Sequence, residues 1–416
     1  MNKIFIRIKN LLINLIIFCL NIIIRRDNSI VLIGGWMGEK FSDNSRYLFQ
    51  YLHYNREEAG ISRVIWVTRN KEVYSMLKNK GYEVYLCGTI HSFYWHIKSG
   101  MHILCNAIYV LQDGKFNPDL QTNLSFGARR IQLWHGIAIK SVGTASNLSE
   151  KNIEKTTPNN KVSKLNYWTS LGGWADYCLL STSDKNKIDN HKISRHPLDS
   201  IIISSYPRNC NCLQLMDHEV DVIAKLNEYK LKVIYLPTFR SDYSEYIHPL
   251  QDASVTDFLK KNNILWVEKQ HLASNFSIGN LSQSIPIYYL PENFDVNTLY
   301  QHVDAVISDY SSAVFDAIYQ NVPVIMYTPD INVFKNGDVG LLFNLEDYCS
   351  TLLSNNTKEL VSMLREIRDK DFFSKERQNN YKLIMKIFFE KREANYIEIW
   401  KSFIDFFEKS SSKGNL

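Results

Sequence analysis

Twelve short runs of β-branched and apolar residues, separated by stretches of helical period, constrain this 416-residue chain more than any other feature. The first series is Ile30–Ile33, Val64–Val67, Val84–Leu86, His102–Cys105, Ile131–Leu133, Cys178–Leu180 and Ile201–Ile203. The second is Val233–Tyr235, Ile264–Val267, Ile287–Tyr289, Ala305–Ile307 and Val324–Met326. These runs are continuous rather than alternating, as a parallel sheet covered by helices on both faces requires. Helical stretches such as Ser45–Asn55 and Lys71–Lys80 fill the gaps. The pattern predicts an α/β chain of two successive doubly wound units, joined near residues 204–230. The length suits two domains, and 13% aromatic residues can fill two large cores. Residues 357–408 read as helices, with Leu360, Met363, Leu364 and Ile367 at the 3.6-residue period. A hydrophobic share of 45% and a charged share of 22% exclude a disordered chain and a polytopic membrane protein.

Charge is concentrated at one end. Lys3, Arg7, Lys9, Arg25 and Arg26 lie within residues 1–26, which carry no acid; the other 390 residues hold 43 basic and 43 acidic side chains. A nucleic-acid-binding protein spreads its basic excess over a folded face, so nucleic acid is not the expected partner. Between the basic residues, positions 11–24 (LLINLIIFCLNIII) are apolar apart from two Asn. Fourteen helical residues span about 21 Å, short of the roughly 30 Å hydrocarbon core. Arg25-Arg26-Asp27 stands where a signal peptide needs small residues. The expectation is a helix lying on an anionic inner leaflet, each cation adding about 1 kcal/mol, and hence a peripheral protein on the cytoplasmic face of the membrane. A spanning anchor and a buried first helix are the competing readings. The seven cysteines are irregularly spaced and read as free thiols.

In a doubly wound sheet, chemistry belongs just after the strands, at their carboxyl ends. Four clusters occupy such places. Trp134-His135-Gly136 follows Ile131–Leu133, with Lys140 in the same loop; an imidazole there suits a general base, although a histidine packed beside a tryptophan gives the same pattern. Thr238 and Arg240 follow Val233–Tyr235, and Arg208 follows Ile201–Ile203; a guanidinium fork suits phosphate oxygens, or simply a solvated loop. Lys269 and His271 follow Ile264–Val267 and point the same way along an extended run. Asp309, Ser311 and Ser312 lie between Ala305–Ile307 and a helix expected over Ala313–Asn321. Hydroxyls and a helix N-terminus form a phosphate seat, and plain capping is the competing reading. Asp316 lies one turn further on. The whole set holds cations, hydroxyls and His; no Asp-x-Asp pair follows a strand to hold a metal, so no metal or cofactor is expected. The polar stretch 144–166 reads as a functional lid or a disordered loop.

These residues resemble a known family. QLWHGIAIKSVG, SYPRN, LPTFR, EKQH and SDYSSAVFDAIYQNVPVIMYTPD occur in the order found in CDP-glycerol glycerophosphotransferases, the teichoic-acid and capsule polyol-phosphate transferases, and SDNSRYLFQYL is similar to the family's opening helix. The resemblance covers roughly residues 30–345. It implies a GT-B-type fold of two Rossmann-like domains with the nucleotide held mainly by the second; with the pattern of runs this divides the chain into a membrane-associating helix over 1–27, an acceptor domain over 28–205, a CDP-donor domain over 206–375, and C-terminal helices and tail over 376–416. It implies transfer of a polyol phosphate from a CDP-polyol donor to a hydroxyl of a lipid-linked or polymeric glycan acceptor, releasing CMP. His135 would be the base, and His271 a diphosphate contact or second catalytic histidine. Arg240, Ser311 and Ser312 would bind phosphate. Cys210 stands where the family usually has Asp, and a Pro-Gly-Pro stretch expected after Gly340–Tyr348 is missing. A large N-terminal extension is also missing, which favours a compact primase or short capsule polymerase. A GT-B glycosyltransferase moving a sugar, and an inactive scaffold, are the alternatives.

Overall fold

The computed structural model describes residues 3–106, 118–146, 168–169, 177–238, 246–269, 285–291, 293–337 and 339–412. Two parallel sheets organise them. The first runs in the order β3-β2-β1-β4-β5-β6-β7, with β1 Asp27–Ile33, β2 Arg63–Thr68, β3 Val84–Leu86, β4 Ser99–Leu104, β5 Arg129–Gln132, β6 Tyr177–Ser181 and β7 Ile201–Ile203. The second runs β10-β9-β8-β11-β12-β13, with β8 Leu231–Leu236, β9 Ile264–Glu268, β10 Ile287–Tyr289, β11 Ala305–Ser308, β12 Val324–Tyr327 and β13 Leu353–Ser354. Each apolar run of the sequence thus falls on a strand. Only β13, two residues long, gives no readable run. In register, Val31 lies beside Val64 on one side and Met101 on the other, and Val306 lies beside Ile234 and Val324. Continuous burial of these strands follows from helices on both faces.

The helices among the described residues are α1 Lys3–Ile23, α2 Asp43–Tyr54, α3 Lys71–Asn79, α4 Ile90–Lys98, α5 Asp184–Ser194, α6 Asp217–Leu226, α7 Ala253–Lys261, α8 Ala313–Tyr319, α9 Ile331–Asn336, α10 Glu346–Cys349, α11 Thr357–Asp369, α12 Lys375–Phe388 and α13 Tyr396–Ser412. In α11, Leu360, Met363, Leu364 and Ile367 are buried, as their period predicts. The last two helices return to the first sheet. Thr182 Oγ1 donates to the Phe388 carbonyl (2.7 Å), Trp400 Nε1 donates to the Ala59 carbonyl (3.0 Å), and Tyr396 stacks on Tyr51 at 5.0 Å.

Helix α1 has two unlike faces. One packs Ile17 with Ile97, Leu124 and Phe126. The Asn residues that interrupt its apolar run serve this docking: Asn14 Nδ2 donates to the Trp168 carbonyl (2.8 Å) and Asn21 Nδ2 to that of Phe126 (3.1 Å). Arg26 points inward and donates to the carbonyls of His96 (2.9 Å), Ser99 (2.6 Å) and Leu124 (2.8 Å). It therefore serves the fold, not the surface cation the sequence suggested. The other face leaves Ile4, Phe5, Ile8, Leu12, Ile16, Ile22 and Ile23 exposed. Among the described residues no helix is long and apolar enough to cross a membrane.

Candidate active site between the two sheets

The loop after β5 carries Trp134 and His135. Trp134 adopts a left-handed φ of 60°, and its carbonyl accepts from Asn44 Nδ2 at 2.8 Å and from Cys105 Sγ at 3.4 Å. Beyond that turn His135 lies tilted against the Trp134 ring at 4.7 Å. His135 Nδ1 is buried and, among the described residues, has no hydrogen-bond partner. Desolvation lowers the His135 pKa below the usual imidazole value; Asp43 and the Cys105 backbone oppose the shift, while Arg208 and Lys140 add to it. The shift favours the neutral ring, the form a base needs.

Gly136 marks where the two halves meet. Its φ is +131°, and a Cβ there would stand 2.7 Å from Arg208 Nη2, 2.7 Å from Ser312 Cβ and 2.8 Å from Ser312 Oγ. Only glycine fits, and the His135 turn of the first sheet thereby faces the serine turn of the second. Further along, the backbone of Lys140 pairs with Leu341; Ser141 N donates to the Gly340 carbonyl (3.1 Å), and Leu342 N to that of Ile139 (2.8 Å). The stretch after His135 is thus stitched to the second half.

On that half, the residues after β8 and β11 flank the point where the strand order reverses. Thr238 N donates to both Asp309 oxygens, at 2.9 and 3.1 Å, and Tyr310 N donates to Asp309 Oδ1 at 2.7 Å. Asp309 therefore shapes the turn by accepting backbone donors. Ser311 Oγ accepts from Ala313 N at 3.3 Å, and Ser312 makes no capping bond. The helix these serines open, α8, has seven residues, shorter than expected, because Asn321 turns left-handed at φ 57°. Lys269 Nζ donates to the Phe294 carbonyl. Arg240 and His271, and nearly all of 144–166, lie outside the described residues.

Arg208 differs from its expected role. Its Nε and Nη2 form a fork on Asp316 (3.0 and 2.8 Å), and its Nη1 meets Asp43 Oδ1 (2.5 Å) and the His135 carbonyl (3.1 Å). The side chain is 4% exposed, and its guanidinium is paired with two buried carboxylates. Asp43, Asn44, Arg46, Glu219 and Asp295 are the residues that site reasoning missed. Asp43 N donates to Asp295 Oδ2 (3.0 Å), Arg208 N donates to Asn44 Oδ1 (3.1 Å), and Arg46 forks onto Glu219 (2.5 and 2.8 Å). The similarity of SDNSRYLFQYL to the family's opening helix was the one signal for Asp43, Asn44 and Arg46. Among the described residues, no group of three or more His, Cys, Asp or Glu gathers as a metal-ligand set.

Comparison with known proteins fits this arrangement. The profile of the family described as CDP-glycerol:poly(glycerophosphate) glycerophosphotransferase matches residues 16–398. A teichoic acid poly(glycerol phosphate) polymerase of Bacillus spizizenii is 22% identical over 381 residues, covering 88% of this chain and 91% of the relative. One of Bacillus subtilis is 23% identical over 361 residues, covering 82% of this chain and 44% of the relative. The solved wall teichoic acid polymerase TagF superposes with a TM-score of 0.66 at 17% identity, over 99% of this chain and 100% of that one, and shares the two-sheet GT-B-like fold.

Proposed function

This chain belongs to the CDP-glycerol:poly(glycerophosphate) glycerophosphotransferase family, and from that premise we propose that it moves a polyol phosphate, glycerol phosphate first among them, from a CDP-activated donor to a hydroxyl of a growing teichoic-acid-like or capsular polymer. The observation that carries the reading is the approach of Gly136 to Ser312, which sets a neutral histidine of one sheet against a hydroxyl turn of the other. His135 accepts the proton of the acceptor hydroxyl. The hydroxyl oxygen attacks the donor's β-phosphorus, the bond from that phosphorus to the bridging oxygen breaks, and CMP leaves with the bridging oxygen. Charge on the phosphates is met by Ser311, Ser312, the Thr238 turn and Lys269, with Arg240 and His271 keeping the roles the resemblance implies. Such catalysis is chiefly positional and electrostatic, and base assistance contributes about 10²–10⁴-fold. The reading assigns no resident metal or cofactor.

The exposed apolar stripe of α1, flanked by Arg7, Lys9 and Arg25, supports attachment to an anionic membrane surface on the cytoplasmic side, where a lipid-linked acceptor would be met. Incubation with CDP-glycerol and a glycerol-phosphate oligomer tests the reaction. CMP should appear in step with polymer growth. CDP or UDP release from a nucleotide sugar would instead identify a glycosyltransferase, and no cytidine-nucleotide binding would identify a scaffold.

A further inference from the structure

The transferase reading leaves a buried ionic cluster without a task. It lies directly behind the His135 turn and draws on both sheets and the segment between them. Asp43 opens α2 with φ +63°, a conformation that costs a non-glycine residue strain and is held here by three bonds: its amide donates to Asp295 of the second half, and its carboxylate accepts from Arg208 Nη1 and Asn44 N. Arg208 stands in the short turn Pro207–Asn209 after β7. Asp316 is on α8, one helical turn from Ser312. One guanidinium therefore touches the α2 terminus, the His135 carbonyl and the helix that carries the serine turn, and a Cβ on Gly136 would collide with it. A planar fork with fixed donor directions can register three elements at once; an ammonium on a flexible stem cannot.

We propose that Arg208, clamped between Asp43 and Asp316, is a positioning residue that sets the His135 turn against the Ser311–Ser312 turn and binds no phosphate itself. The clamp acts through two contacts. Its Nη1 bond to the His135 carbonyl fixes the peptide from which the imidazole projects. Its fork on Asp316 fixes the first turn of α8 and with it Ser312. Both contacts are to the protein itself, so loosening the clamp displaces the two turns without removing the Ser311 and Ser312 hydroxyls, and it costs the rate of transfer far more than donor affinity. Misplacing reacting groups by about 1 Å is enough to cost roughly 10²-fold in rate.

This inference rests on the transferase reading for its kinetic consequence, but the clamp itself can be tested without substrate. Arg208→Lys and Asp316→Asn are compared with the full-length wild type by hydrogen exchange, by calorimetry with CDP-glycerol and by steady-state turnover. Exchange should rise together in peptides covering 134–141 and 311–318 in both variants. Turnover should fall about 100-fold, with donor KM and dissociation constant within about threefold of wild type. The lysine should not rescue. A variant with unchanged exchange in both peptides refutes the clamp, and one whose donor binding weakens while kcat holds makes Arg208 a phosphate ligand. If Arg208→Lys does not fold, Asp316→Asn, which leaves Arg208 paired with Asp43, decides alone. Absence of turnover in the wild type would count against the transferase reading and leave the exchange result standing.

Discussion

Replacing Gly136 by Ala places a methyl group in the narrowest contact between the two halves. The new carbon would lie 2.7 Å from Arg208 Nη2 and from Ser312 Cβ, whereas carbon atoms in contact sit at about 3.5–4.0 Å. Relief therefore requires a retreat of about 1 Å by the serine turn, the His135 turn or both. The φ of +131° adds a backbone cost of about 1–3 kcal/mol. A retreat of that size across reacting groups should lower kcat about 100-fold. CDP-glycerol binding, which the proposed function gives to the second half and whose hydroxyls the substitution leaves in place, should change far less than turnover. Gly60→Ala is the control: its φ is also positive, at +68°, but nothing lies within 4 Å of the added carbon. It carries a backbone penalty without the wedge, and should lose some melting temperature while keeping full turnover. The assay is CMP release at saturating donor, beside calorimetry and a melting curve. Turnover of folded Gly136→Ala within about threefold of wild type would refute the reasoning, because the His135 and Ser312 turns would then not need their close approach.

Other consequences follow from the same geometry. Burial lowers the His135 pKa, so the base stays neutral below the ordinary imidazole range; the acid limb of kcat/KM should fall below pH 6.5, and a limb above that value would remove His135 as the base. Leu12→Glu with Ile16→Glu puts two charges on the exposed stripe of α1 and should weaken cosedimentation with anionic vesicles about 100-fold, from the apolar burial lost; unchanged binding would move the membrane contact elsewhere. Arg46→Met strands Glu219, whose second oxygen also accepts from Met216 N (2.8 Å), and should cost about 3–5 kcal/mol in urea unfolding; Arg46→Met with Glu219→Gln should recover part of it, and an equal loss in both would show that Arg46 acts through packing.

The sheets were legible in the sequence because parallel strands buried on both faces leave continuous apolar runs, and Val64–Val67 or Ala305–Ile307 can hardly be anything else. The places of His135, Thr238, Lys269 and Ser311 followed, since each comes directly after such a run. The carboxylate pairing of Arg208 was hidden for a physical reason: a loop arginine that seeks phosphate and one that bridges two buried carboxylates look alike in one dimension. Its partners Asp43 and Asp316 are 165 and 108 residues away, and no local pattern links them. The double nature of α1 was half legible. Its apolar stripe showed plainly, whereas the docking roles of Asn14, Asn21 and Arg26 depend on carbonyls of residues about 70–160 positions distant.

In the proposed reaction, labour is divided between two turns that meet at Gly136. Titrating CDP-glycerol into wild type, His135→Ala and a Ser311→Ala/Ser312→Ala double variant, with turnover measured on the same samples, tests that division most directly. His135→Ala should bind donor normally and transfer nothing measurable, while the double serine variant should lose donor affinity. Near-normal transfer by His135→Ala, or equal donor affinity in all three proteins, would overturn that division.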